Sequence, residues 1–451
     1  MSRGLMEHQR QALRFIKKLD GKCGLFLAPG TGKTLVAIRY ARLNLPALII
    51  CRRDDFLTWK NELAEEKVPT VSCHFIDKGS QIPQQPYKWT MVTYDLLKNE
   101  FVKKYILQSY FKIVITDESH MIKHWESNRT KTVFYATRKI DKRIAMTGTP
   151  ITNEVRDVFS QSKFIDNGKT FGDNLWRFNN TYYLKSGPGW YLRHDSKRRV
   201  IEKLKAISFY VHEDDVLTLP PKRHLIKSAP MTSEQKEMYN RLLTLWEYEI
   251  ENKTIELNQI LTQLGKLKQV ASGFIYDESG VAYFLNSGKL NLLANILKDY
   301  LKEKLKVVIW CSYTAEIKMI SKLLDSMNEK YVTFYSSNRK RKEKARMDFK
   351  DDSQIRFFIG QVDSGVGMNE LKVADTAIYY SNSFKVVSRQ QSMRRIRRKG
   401  SEHHKAITYW DLITENSVDQ HVLDSITRKF NLANFILNKI KEGKHVSELL
   451  K

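Results

Sequence analysis

The stretch Leu25-Phe-Leu-Ala-Pro-Gly-Thr-Gly-Lys-Thr34 decides the fold. An apolar run enters Gly30, Thr31 and Gly32, and a helical stretch opens at Lys33. Strand, glycine turn and helix in that order leave backbone N–H groups free to close around a phosphate, with the positive end of a helix behind them. Lys33 is placed to reach the β- and γ-phosphates of a nucleoside triphosphate, and Thr34 to offer its hydroxyl to Mg²⁺. The strict form of this pattern asks for glycine at position 27, where Leu27 stands. Taken alone, the segment also reads as a glycine-rich turn without a ligand.

A second stretch, Ile113-Val-Ile-Thr-Asp-Glu-Ser-His120, favours the ligand. It is another apolar strand, and it ends in two carboxylates. Asp117 suits the metal, through its water shell, and Glu118 is placed to orient or deprotonate an attacking water. The pair of motifs implies a triphosphate bound with magnesium and hydrolysed.

At 451 residues the chain exceeds one ordinary core, and its 42% hydrophobic residues suffice for two or three domains. No run approaches the roughly eighteen apolar residues of a membrane span, and the first residues lack the apolar core of a secretory signal. The expectation is a soluble protein inside the cell, with no membrane partner. Cys23, Cys51, Cys73 and Cys311 are far apart, form no CxxC pair and are expected to be buried and reduced. A net charge of +26 exceeds what solubility requires and points to a polyanion such as nucleic acid. An anionic membrane surface is the weaker explanation, because the basic residues are spread along the chain and form no single amphipathic helix.

Short apolar runs at 23–28, 47–51, 71–76, 89–94, 112–117 and 143–147 read as strands, with helical stretches such as 33–43, 54–65 and 154–165 between them. This rhythm predicts a parallel sheet covered on both faces, with motifs at the carboxyl ends of its strands. It returns later, with strands at 307–312, 331–336, 355–361, 376–380 and 404–412 and helices at 289–301, 315–327 and 339–349. This second lobe has no phosphate loop of its own. The expected organisation is lobe one over 1–165, an insertion over 166–286 and lobe two over 287–451. The insertion is broken at Pro220-Pro221 and helical from 233 to about 269. Residues 181–194 read as a β-hairpin around Ser186-Gly-Pro-Gly189. Its rings Tyr182, Tyr183, Trp190 and Tyr191, beside Lys185, Arg193, Lys197, Arg198 and Arg199, either stack on unpaired bases as a wedge or pack the hairpin onto lobe one.

In their order, the motifs resemble superfamily 2 helicases, in particular the Swi/Snf-like branch of DNA translocases, over nearly the whole chain. Gln9, in Leu5-Met-Glu-His-Gln9, stands where that family places a glutamine that reads adenine. Ile49-Ile-Cys-Arg-Arg-Asp-Asp-Phe-Leu-Thr-Trp59 and Met91-Val-Thr-Tyr-Asp95 are similar to its strand-contacting segments. That likeness makes Arg52, Trp59, Thr93 and Tyr94 candidate nucleic-acid contacts, although Trp59 and Tyr94 read equally well as core aromatics. Thr147-Gly-Thr-Pro-Ile-Thr-Asn153 is similar to the coupling motif, which gives His120, Thr147 and Thr149 a coupling role. On local grounds Thr147 and Thr149 also suit a strand-end turn, and His120 a core or capping position. Leu219-Pro-Pro-Lys222, Met231-Thr-Ser-Glu-Gln235 with Tyr239, and Ser287-Gly-Lys-Leu290 resemble inter-lobe landmarks.

Gly365-Val-Gly-Met-Asn369 and Gln391-Ser-Met-Arg-Arg395-Ile-Arg-Arg398-Lys-Gly400 resemble the last two motifs. The resemblance implies an α/β fold of two RecA-like parallel-sheet lobes in tandem, with ATP and Mg²⁺ as cofactors. It places Gly365 and Gly367 beside the nucleotide and makes Gln391, Arg395 and Arg398 catalytic. An arginine finger is worth about 10³–10⁵ in rate, roughly 4–7 kcal/mol of barrier. Arg394 and Arg397 sit one step away in register, and an isolated run of this kind is otherwise a solvated basic helix. Asp363 and Ser364, and Ser208-Phe-Tyr-Val-His212, depart from the family pattern.

The implied activity is that of an ATP-dependent DNA helicase or translocase on duplex, forked or junction DNA. Fork or Holliday-junction branch migration in replication, recombination or repair is the specific expectation, in a bacterium or phage-infected cell and beside replication or recombination proteins. An RNA helicase and a nucleotide-gated clamp without motor activity are the alternatives.

Overall fold

Strand runs that are apolar at every position need cover on both faces, and the sheet of the first unit shows that burial. The structure, a computed structural model, describes residues 4–152, 154–186, 189–252, 256–303, 305–335, 339–364, 368, 370–428, 432–442 and 444–450. The chain divides into two compact units, Met1–Thr218 and Leu219–Lys451.

In the first unit β1 (Lys22–Leu27), β2 (Ala47–Cys51), β3 (Cys73–Ile76), β4 (Trp89–Thr93), β5 (Ile113–Asp117) and β6 (Lys142–Met146) are parallel. The strands β2, β4 and β5 are buried along their whole length. A hairpin of β7 (Tyr183–Ser186) and β8 (Gly189–Leu192) follows, and then β9 (Ser208–Val211) joins the sheet beside β1. The sheet order is β3-β4-β2-β5-β6-β1-β9. Cys23, Cys51 and Cys311 are buried and free, whereas Cys73, at the start of the edge strand, is only half covered.

The second unit contains β10 (Lys222–Ala229), a small antiparallel pair of β11 (Phe274–Tyr276) and β12 (Ala282–Phe284), then β13 (Val307–Cys311), β14 (Lys330–Phe334), β15 (Ile355–Gln361), β16 (Thr376–Tyr379) and β17 (Ile407–Thr414). Its main sheet is parallel, in the order β10-β17-β16-β13-β15-β14. Helices Ser233–Asn252, Leu257–Ser272 and Val418–Arg428 pack on one another through Tyr239, Leu243 and Trp246, Ile260, Leu264 and Leu267, and Val418, Val422 and Ile426. Those spacings of three and four residues put each set on one helical face.

The stretch 166–286 is shared out between the units. Helices Leu175–Tyr182 and Ser196–Ile207, the hairpin and β9 lie in the first, and β10 with the long helices in the second. Neither β9 nor β10 was expected as a strand. The outer strand β10 is exposed at seven of its eight positions and reads as a charged, irregular segment, yet it pairs with β17 along its full length. Cations on an exposed edge discourage pairing with other chains, which removes the apolar alternation that would mark a strand. Among the described residues no helix is long and apolar enough to cross a membrane.

Two buried ion pairs tie the second unit together. Arg389 makes a bidentate contact to Asp411, at 2.6 and 2.8 Å, with its guanidinium 3.4 Å from the centre of the Tyr379 ring. Lys289, in the Ser287–Leu290 landmark, pairs with Asp419. Removing one partner of a buried pair leaves the other charge without compensation. Arg389→Ala should therefore destabilise the second unit by about 3–5 kcal/mol, read from denaturant unfolding. A loss below about 1 kcal/mol would contradict this account of the pair.

Candidate active site

The phosphate loop has the geometry its glycines allow. Gly30 and Gly32 sit at φ +84° and +86°, in the left-handed region, and Gly32 caps the helix Lys33–Ala41. A side chain at 32 would also collide with the Gln9 amide. The loop is held by its own Thr31, whose hydroxyl donates to the Ala28 carbonyl at 2.8 Å. The Thr31 carbonyl accepts from Gln9 Nε2 at 3.0 Å and lies 2.8 Å from His8 Nε2. Gln9 Oε1 in turn accepts from the Met6 N–H at 3.0 Å. Gln9 thus braces the loop from helix Glu7–Lys18, and His8, which sequence reasoning passed over, helps it. The signal was its position next to Gln9 at the start of a helix.

The two carboxylates at the end of β5 are buried and unlike. Asp117 Oδ2 accepts from Trp59 Nε1 at 2.9 Å, and its Oδ1 accepts from the Glu118 N–H at 3.0 Å. The Tyr94 hydroxyl donates to the Asp117 backbone carbonyl at 2.7 Å. Glu118 turns away at φ +52° and meets cations on one oxygen. Its Oε1 is 3.7 Å from Lys33 Nζ and 3.8 Å from Arg52 Nη2. Its Oε2 accepts from the Thr147 hydroxyl at 3.2 Å and lies 3.2 Å from His120 Nδ1. His120 and Thr147 are themselves 3.2 Å apart, and Thr147 Oγ1 accepts from the Thr149 N–H at 3.1 Å.

Burial pushes the Asp117 carboxyl up, with Lys33 pulling against it. Burial acts on Glu118 in the same sense, but Lys33, His120 and Arg52 together hold it well below the usual carboxylate range. Asp55, bonded to Arg52, is pushed up to about 7 by burial, with Asp117 and Glu118 adding to the effect against the opposing Arg52. Neighbouring acids driven apart in this way take different roles. Glu118 is the one kept charged.

Several candidate nucleic-acid contacts lie elsewhere than expected. Trp59 and Tyr94 are 0% and 2% exposed, and both point their polar atoms at Asp117, so neither ring faces solvent to stack on a base. Thr93 is buried and accepts from the Leu96 N–H at 3.2 Å, closing a turn. Arg52 is turned to Asp55 and Glu118. Tyr182 and Tyr183 are buried in the core with Phe171 and Phe178, and Trp190 packs against the same cluster. Tyr191 differs, at 53% exposed, as does its cross-strand partner Leu184 at 51%. Alternation along the hairpin explains the split, since Tyr183, Lys185, Trp190 and Leu192 share one face and Leu184 and Tyr191 the other. The turn residues Gly187 and Pro188 lie outside the described residues.

In the second unit Gln391 and Arg395 lie on helix Val386–Ile396, and Arg398 follows its end. Arg395 is buried with its guanidinium 5.2 Å from the Trp310 ring centre. Arg397 Nε donates to the Pro220 carbonyl at 2.7 Å, which gives it a structural task. Gln391 and Arg398 are half-buried, and burial draws the Arg398 guanidinium below its ordinary range. The expected nucleotide residues Gly365 and Gly367, with Asn153 and Asn369 of the neighbouring motifs, lie outside the described residues.

Comparison with known proteins now bears on this geometry. The profile of the SNF2-related domain matches residues 8–273. Similar curated proteins include an uncharacterized ATP-dependent helicase of Mycoplasma genitalium, 24% identical over 99% of this chain and 44% of its own length. The chromodomain-helicase-DNA-binding protein 1-like proteins of Danio rerio and Mus musculus are 25% and 26% identical, each over 92% of this chain and over 41% and 47% of their own lengths. The chain spans less than half the length of these relatives. A solved structure of the Sulfolobus solfataricus SWI2/SNF2 ATPase core in complex with dsDNA covers 95% of this chain and 91% of its own, at 22% identity and a TM-score of 0.45. With the domain profile matching more than half of its residues, the chain belongs to the SNF2-related family, the Swi/Snf-like branch of superfamily 2.

Proposed function

We propose that the chain is a DNA-dependent ATPase that uses hydrolysis to move along duplex or branched DNA, with fork or junction branch migration as its task. The observation that carries the reading is that Lys33, Thr147 and His120 each lie within 4 Å of Glu118 behind a left-handed glycine turn. ATP would draw Lys33 from Glu118 onto its phosphates. Glu118 then orients the attacking water, and as its charge partner leaves, its affinity for a proton rises toward that of a useful base. Thr147 and His120 sense that change through their bonds to Glu118. In the second unit Arg395 and Arg398 are the groups proposed to reach the γ-phosphate.

The donor set fits magnesium. A buried threonine hydroxyl at Thr34 and the Asp117 carboxylate are both hard oxygens, and no cluster of three or more His, Cys, Asp or Glu suited to a metal occurs among the described residues. Such a site suits an ion that arrives on the nucleotide and keeps several waters. Its charge would offset the burial that now raises Asp117.

The net charge of +26 supports phosphate contacts spread over the surface, which favours low sequence preference. On the hairpin, Leu184 and Tyr191 form an exposed apolar pair, Lys185 is exposed on the other face, and the basic helix Ser196–Ile207 follows the hairpin in the chain. That combination of an apolar face and cations is what an unpaired base and its phosphate require.

Lys33→Ala should abolish ATP hydrolysis, and Glu118→Gln should keep ATP binding while slowing turnover by about 10²-fold or more. Normal turnover by Glu118→Gln would remove its assigned role. Tyr191→Ala with Leu184→Ser should leave duplex-stimulated ATPase intact but reduce unwinding of forked DNA at least about tenfold, a loss of roughly 1.4 kcal/mol. Unwinding at the parental rate would reject the hairpin contact. Stimulation by RNA in place of DNA would redirect the substrate.

A further inference from the structure

Arg52 stands in a segment whose family resemblance implies contact with nucleic acid, yet its side chain is turned into the nucleotide site and is only 22% exposed. Its Nε donates to Asp55 Oδ2 at 3.1 Å, and its Nη2 lies 3.8 Å from Glu118 Oε1. Asp55 and Glu118 are buried, at 6% and 8% exposure. The guanidinium is thus hydrogen-bonded to one buried carboxylate and lies beside a second.

The local chain explains how it gets there. Arg52 immediately follows β2, the next three residues form a short turn, and helix Phe56–Glu65 begins after Asp55. The same helix carries Trp59, whose indole holds Asp117. One eight-residue segment, 52–59, thus supports both carboxylates of β5. Because β2 is hydrogen-bonded to β5 in the sheet, the support comes from the neighbouring strand and needs no long reach.

We propose that Arg52 is a positioning residue for Glu118, keeping that carboxylate in its hydrolytic orientation once Lys33 has left it for the phosphates, with Asp55 fixing the guanidinium from the other side. This inference rests on the ATPase reading above. Lys33 and Arg52 approach the same oxygen at almost equal distances, 3.7 and 3.8 Å, and neither is within hydrogen-bond reach. Glu118 Oε1 therefore keeps lone pairs for a water while remaining beside positive charge. When a triphosphate takes Lys33, Arg52 is the cation still tethered there, because its own anchor, Asp55, belongs to the protein.

The test is steady-state ATP hydrolysis by the full chain at saturating duplex DNA, comparing the parent with Arg52→Gln, Arg52→Lys and Asp55→Asn. A misplaced catalytic group costs up to about 10²-fold. Arg52→Gln should lower kcat by about 10- to 100-fold with the KM for ATP and the melting temperature nearly unchanged. Arg52→Lys should recover part of kcat, and Asp55→Asn should show a smaller loss of the same type. Full kcat in Arg52→Gln would overturn the proposal. So would a loss that higher DNA concentration restores, which would return Arg52 to DNA contact, or a loss matched by a lower melting temperature that Arg52→Lys does not relieve. A parent chain that hydrolyses no ATP would sink the ATPase reading itself, whereas a hydrolysing parent with an equally active Arg52→Gln sinks only this inference.

Discussion

A charged carboxylate at 8% exposure needs compensation, and the first unit is organised around supplying it to Glu118. Removing an ion from water costs several kcal/mol even after relaxation, so partners must be held close by the fold. Four neighbouring strands provide them. In the order β2-β5-β6-β1, the carboxyl ends deliver Arg52, then Asp117 and Glu118, then Thr147, and then the loop that carries Lys33. A parallel sheet aligns all four ends on one edge, which is why ligands bind there.

This dependence explains the supporting cast. Trp59 and Tyr94 are large rings in a tightly filled core, but their polar atoms fasten Asp117. Gln9 and His8 fasten the loop at Thr31. Gln161 takes the Ser119 hydroxyl on its Oε1 and gives its amide to the Pro150 carbonyl, joining the residue after Glu118 to the turn after β6. Glu118 is thus bonded directly to Thr147, and the residue after it is joined to Pro150 through Gln161.

Central strands were legible in the sequence because burial on both faces demands unbroken apolar runs, and the observed ends differ from expectation by only a few residues. Of the four edge strands of the two main sheets, β3 and β14 were legible too, but β9 and β10 were not. β10 is made of exposed, mostly polar residues, and its membership of the sheet comes from pairing with β17. The lysine loop and the carboxylate pair were readable because few other tasks call for such residues in that order. Trp59 and Tyr94, which read equally well as base contacts or core aromatics, and Arg52 were ambiguous for a general reason: an aromatic or a cation beside a motif looks the same whether it faces a base or a carboxylate. Asp55, three residues after Arg52, was the clue to that choice. Arg389 and Asp411 had no such clue, since one arginine among 76 lysines and arginines does not announce a partner 22 residues away.

The account comes down to whether Lys33 exchanges Glu118 for phosphate. A structure of this chain with magnesium and a non-hydrolysable ATP analogue measures that directly. The prediction is Lys33 Nζ on the β- and γ-phosphates within the 28–34 loop, with Glu118 left beside Arg52 and facing a water in line with the γ-phosphorus. A nucleotide bound elsewhere while Lys33 stays paired with Glu118 would contradict it.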